Sequence, residues 1–202
     1  MKNFTKSLKT LFLILIISNL AQAQVYEKGK VVIDAYYGFP NLWTSILQSE
    51  VNNSTTAQNA GVTVSSIGPL GGRIEYLLSS KIGFGVDFSY ANTTAKYTDQ
   101  STNYNYQISI PRWRVVPRIN IHLGHDTKLD PYFAFGVGYV NSSYSYKTND
   151  PNYTGLATTR SLVPVSVMAK FGMRYFITDH IGLGVEVGLG GPLATGGVTV
   201  KF

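Results

Sequence analysis

The stretch VSVMAKFGMRYFITDHIGLGVEVGLGGPLATGGVTVKF, residues 165–202, decides the fold class. Its apolar residues fall on alternate positions: Val165, Val167, Phe171, Met173, Tyr175 and Ile177, then Ile181, Leu183, Val185, Val187 and Leu189, then Val198, Val200 and Phe202. A helix repeats roughly every 3.6 residues, whereas neighbouring side chains of a strand point to opposite faces, so this is the spacing of strands with one apolar side. Between the apolar residues stand Lys170, Gly172, Arg174, Gly182, Gly184, Glu186, Gly188, Gly197 and Lys201. Thr178-Asp179-His180 and Gly190-Gly191-Pro192 supply turn residues between the runs.

The same alternation extends back to about residue 30 and predicts eight strands, near 30–39, 62–78, 82–97, 104–123, 130–147, 158–178, 181–190 and 193–202. In the earlier segments the apolar face carries, for example, Ile33 and Tyr37, Ile74 and Tyr76, Phe84, Val86 and Phe88, Trp113 and Ile119, and Phe133, Phe135 and Val137, with no charged residue among them. The opposite face collects Asp34, Arg73, Glu75, Asp87, Arg112, Arg114, Arg118, Lys170, Arg174, Glu186 and Lys201, interleaved with glycines.

A soluble barrel or sandwich would also alternate, with its apolar side inward. The make-up of the polar side argues otherwise. A water-facing strand surface favours Lys, Glu and Thr, and glycine weakens it. Here glycine and arginine dominate, a mixture suited to a narrow enclosed lumen where large ion-pairing groups must fit beside small ones. The apolar side must then meet lipid, where an Arg or Lys at mid-depth would cost roughly 2–4 kcal/mol. The expectation is an all-β, eight-stranded, antiparallel, up-and-down transmembrane barrel. Seven basic and four acidic lumen residues leave two uses open, an interlocked structural plug or a narrow, anion-leaning pore.

Composition agrees. Charged residues make up 14% of the chain, against about 25% in soluble domains. No run reaches the roughly 18 apolar residues of a membrane-spanning helix. Cysteine is absent, which excludes disulfides and thiolate chemistry. Residues 1–23 read as a signal peptide, with Lys2, Lys6 and Lys9 before the apolar run 11–17 and a small-x-small site at Ala21-Gln22-Ala23. The barrel domain is then 24–202. Removing those three lysines lowers the formal charge of +6, and the remaining basic residues are scattered, so no nucleic-acid partner is expected.

The predicted connections alternate between long or polar (40–61, 98–103, 148–157) and short (79–81, 124–129, 179–180), the pattern of outer loops and periplasmic turns, with 190–192 a minimal outer loop. Leu42, Trp43, Ile46, Leu47 and Val51 stand at helical spacing in the first long loop. Tyr97, Tyr104, Tyr106, Tyr144, Tyr146 and Tyr153 give the outer rim a surface suited to recognition. Pro69, Pro111, Pro117 and Pro164 fall inside predicted strands, and a bulge is expected at Pro117.

The signal peptide, the amphipathic segments and the ending Gly197-Val198-Thr199-Val200-Lys201-Phe202 together resemble the small outer-membrane barrel families: OmpX, OmpW, the membrane domain of OmpA and the outer membrane protein beta-barrel proteins of Bacteroidota. The resemblance implies a bacterial outer-membrane location and a lumen network of charges. It also implies an assembly signal in Val198, Val200 and Phe202, and as partners the outer-membrane lipids and the barrel-assembly machinery. The pattern departs from OmpA in that no peptidoglycan-binding domain is expected after the barrel, and hence no cell-wall tether.

Catalytic chemistry finds little footing. His122, His125 and Asp126 form an H-x-x-H-D turn that lacks further convergent metal ligands, and a solvated turn is the expectation, so no metal and no cofactor are assigned. No serine is placed to pair with a histidine, as a hydrolytic triad requires. Glycine doublets such as Gly182 and Gly184 precede no helix and are not nucleotide loops. The leading expectation is a non-enzymatic barrel with a structural or surface-interaction role through its outer loops. A small-solute channel like OmpW comes second and a lipid-modifying enzyme third. The sequence names no ligand, extracellular partner or oligomeric state.

Overall fold

The computed structural model describes residues 27–124, 128–152, 159–160 and 164–202. The strands are β1 (Val31–Phe39), β2 (Thr63–Leu77), β3 (Ile82–Thr98), β4 (Asn105–His122), β5 (Leu129–Thr148), β6 (Thr159–Arg160), β7 (Val165–Phe176), β8 (Ile181–Leu189) and β9 (Ala194–Lys201). Two helices, α1 (Leu42–Asn53) and α2 (Thr55–Asn59), lie in the connection after β1. Each long strand pairs antiparallel with its neighbours, β4 pairs with β5, β5 with β7, and β9 returns to β1, so eight strands close a barrel. Closure matters physically, because an open edge in lipid would leave backbone donors and acceptors without partners. The short β6 pairs only with the outer part of β5, which divides the single strand expected over 158–178. The proposed signal peptide, His125, Asp126 and Tyr153 lie outside the described residues.

Burial assigns the faces. Phe135, Val137 and Val185 are 48%, 62% and 50% exposed, whereas Arg174 and Asp87 are fully enclosed. This inverts a soluble protein, and a wall of exposed Phe, Ile, Leu and Val of this extent requires an apolar solvent. Trp113 and Tyr139 touch on adjacent strands, ring centroids 5.2 Å apart, beside Tyr90, which pairs with Trp113 in the ladder. Beyond this aromatic level the outward positions turn polar: Asn92, Thr94 and Lys96 on β3, Gln107 and Ser109 on β4, Ser145 and Lys147 on β5. The apolar belt therefore ends at the aromatic row, and β3–β5 project past it into water. On the projecting part the inward face carries the tyrosines, with Tyr97 stacked on Tyr106 at 4.9 Å and Tyr146 beside them.

The strand prolines behave differently from expectation. At Pro117 there is no bulge: pairing with β5 lapses after Val115 and resumes at Arg118 in the same register, because only the missing N–H is lost. The bulge lies instead on β2, where the register with β3 shifts between Ile67 and Leu70. Gly68 takes φ +74° there, a left-handed backbone that glycine adopts at little cost.

Candidate functional site

The lumen is filled in tiers. At the end that carries the short turns, Val32, Leu77 and Phe176 form a buried apolar floor. Lys201 sits over the Phe176 ring at 4.6 Å.

Above the floor, His122 places Nε2 2.8 Å from Glu75 Oε1 and Nδ1 2.8 Å from Asp130 Oδ1. Arg174 reaches across to three strands. It grips both oxygens of Asp34 (Nε to Oδ1 3.2 Å, Nη2 to Oδ2 2.8 Å) and places Nη1 2.8 Å from Glu75 Oε2 and 3.6 Å from Asp130 Oδ2. The two-pronged grip on Asp34 uses the planar fork that only arginine offers. Strand order sets β7 opposite β2, so the Arg174–Glu75 pair spans the lumen.

The middle tier is held by Asp87 and Glu186. Arg73 Nε donates to Asp87 Oδ2 at 2.9 Å and its Nη2 lies 2.9 Å from Glu186 Oε2. Arg118 Nη2 donates to Glu186 Oε1 at 2.6 Å, and Tyr132 donates to the same oxygen at 2.8 Å. Lys170 Nζ stands 3.7 Å from Glu186, and Arg114 Nη2 donates to Asp87 at 2.9 Å. Ions buried in a low-dielectric interior require partners of this kind, since an isolated charge there is very costly.

Of the eleven residues grouped from sequence, Asp34, Arg73, Glu75, Asp87, Arg114, Arg118, Lys170, Arg174 and Glu186 are brought into this one network. Arg112 and Lys201 share the face but are only half-buried; Arg112 makes no ion pair with the network among the described residues, and Lys201 sits lower, over the Phe176 ring. His122 is not a solvated turn residue: it ends β4, is 3% exposed, and belongs to the network together with Asp130. Among the described residues the buried set holds five carboxylates (Asp34, Glu75, Asp87, Asp130, Glu186) against five Lys and Arg side chains, plus His122. Lys and Arg therefore match the carboxylates one for one in the buried core, with His122 in addition, where the count from sequence is seven basic to four acidic.

The lumen glycines have a steric reason. Tyr36 lies over Gly71 and Tyr132 over Gly172, and a Cβ at either glycine would run into the ring. At Gly83 a Cβ would strike the Glu75 carboxylate. These tyrosines complete the filling, for Tyr36 donates to Asp87 at 3.0 Å and sits under the Arg73 guanidinium at 3.9 Å.

At the other end the mouth is partly covered by α1. Thr44 and Thr93 hydroxyls approach to 2.9 Å, and Thr93 is buried on the lumen face of β3. The helical spacing in 41–61 thus corresponds to a real helix, whose position over the mouth the spacing alone did not reveal.

Comparison with known proteins gives one family and several solved structures. Residues 10–194 match the family described as outer membrane protein beta-barrel domain. No curated protein matches the sequence. Among solved structures, OprG of Pseudomonas aeruginosa is 13% identical, covering 90% of this chain and 99% of its own, with a TM-score of 0.48. Outer membrane protein W of E. coli is 15% identical over 88% of this chain and 100% of its own, with a TM-score of 0.45. The N-terminal barrel domain of Pseudomonas aeruginosa OprF is 17% identical over 88% and 100%, with a TM-score of 0.41.

Proposed function

The chain belongs to the outer membrane protein beta-barrel domain family of the bacterial outer membrane, and from that premise we propose that it is a non-enzymatic barrel with a plugged lumen, acting as an envelope scaffold and through its outer surface. The observation that carries this reading is the Arg174–Glu75 pair between opposite walls, stacked between an apolar floor and the Arg73–Asp87–Glu186–Arg118 tier. An eight-stranded barrel leaves room for little beyond its own side chains, and here those side chains bond to one another rather than line a path. His122 supports the non-enzymatic part, because both ring nitrogens face carboxylates, the geometry of a clamp rather than of a base aimed at a nucleophile. The projecting β3–β5 sheet with its tyrosines supports the surface role. In the same reading residues 1–23 direct export and are removed, and Val198, Val200 and Phe202 present the last strand to the barrel-assembly machinery.

Purified barrel in planar lipid bilayers tests the plug. The expected trace is flat at moderate voltage. Stable, reproducible single-channel steps whose size changes in Arg118→Gln would replace the scaffold reading with a narrow solute channel.

A further inference from the structure

Above the tiers a cationic place stands at the outer mouth, beneath α1. A cavity there is lined by Trp43, Pro69, Ile110, Arg112, Arg114 and Pro192, with the first turn of α1 forming its roof. Arg114 is only 2% exposed, and among the described residues Nη2 has the partner Asp87, whereas Nε and Nη1 are buried without an acceptor. Arg112, two residues earlier on the same face, makes no hydrogen bond or ion pair within the described residues and lies half-buried beside it. The nearest lumen positions on β3 above Asp87 are Ser89, Ala91 and Thr93, so no carboxylate of that strand stands opposite Arg112.

The start of α1 adds to the same field. Its N-cap, Asn41, makes no capping bond to the helix; the side chain instead accepts from Thr93 and donates to the Gly68 carbonyl. No acidic residue stands in the first turn. The first backbone N–H groups of a helix have no partner within it and carry its positive end, so they favour an anion. The remaining walls are apolar: the Trp43 ring, Pro69, Ile110 and Pro192.

We propose that this cavity binds a small organic carboxylate, its oxyanion held by Arg112 and Arg114 and its short apolar body against Trp43 and Ile110. Arg112 suits a carboxylate because its fork can present paired donors to the two oxygens, and the free Nη1 of Arg114 can add a third charge-assisted bond. The site caps the tiers and shares Arg114 with them through Asp87, but it does not depend on whether the lumen conducts.

Trp43 itself is the reporter. The chain has two tryptophans, so Trp113→Phe leaves Trp43 as the sole emitter. In detergent micelles, sodium acetate is expected to change Trp43 emission saturably, while neutral acetamide and inorganic phosphate do not. Adding Arg112→Gln should weaken acetate binding about tenfold, the effect of one charge-assisted hydrogen bond, with Arg112→Lys between the two. Among the described residues Arg112 holds no ion pair, so its variants keep the fold, which the heat-sensitive gel migration of the folded barrel verifies. Any of three results overturns the proposal: no saturable response to acetate, an equal response to acetamide, or unchanged acetate affinity in Arg112→Gln. A response to phosphate in place of acetate also overturns it.

Discussion

Arg174→Gln is expected to be the most damaging single substitution in the barrel. The side chain is fully enclosed and its guanidinium joins Asp34 on β1, Glu75 on β2 and Asp130 on β5, and it also lies 4.5 Å over the Tyr132 ring. Glutamine keeps most of the volume but removes the charge, so Asp34, Glu75 and Asp130 lose the cation they share in an interior poor in water. Breaking a buried ion pair by removing one partner costs about 3–5 kcal/mol, far above the exposed pairs of a protein surface. Urea unfolding in phospholipid vesicles, followed by tryptophan emission and gel migration, should register that loss or a failure to fold. A midpoint close to wild type would mean that the network does not hold the barrel. Arg112→Gln, outside the network, serves as the matched control.

The second large effect is on the outside. Val185 stands midway along β8 and is 50% exposed on the apolar face. Val185→Arg is expected to cost about 2–4 kcal/mol in vesicles, and Leu189→Arg, at the end of the same strand, no more than about 1 kcal/mol. The gradient with depth is the signature of a bilayer. A water-facing surface would tolerate both changes, and a packed protein interface would penalise both alike.

Much of this arrangement is written in alternation. Because the side-chain period of a strand is two, Arg73, Glu75, Asp87, Arg118 and Arg174 could be grouped on one face from spacing alone, and Val137 or Leu183 on the other. Extending the count from Arg118 and Asn120 leads to His122, and counting back from Tyr132 leads to Asp130. Both were obscured by their nearness to a turn, where His and Asp are ordinarily solvated. Period does not give depth, however. Arg112 and Arg114 share a face, yet Asp87 lies within reach of Arg114 alone. Nor does it show where a proline disturbs the ladder: Pro117 loses a single hydrogen bond in an unshifted register, whereas Gly68-Pro69 marks the extra residue of a bulge because glycine can take the left-handed backbone there. The seat of α1 over the mouth depends on contacts such as Thr44 with Thr93, which are distant in sequence and carry no local pattern.

The most direct test of orientation uses the absence of cysteine. A nitroxide on Val185→Cys, with the barrel in phospholipid vesicles, can be probed by electron paramagnetic resonance against two relaxing agents, apolar oxygen and a water-soluble nickel chelate. A belt in contact with acyl chains gives strong relaxation by oxygen and almost none by the chelate. Ready access to the chelate at this position would mean that the apolar side does not face lipid, and the enclosed charges would then need another explanation.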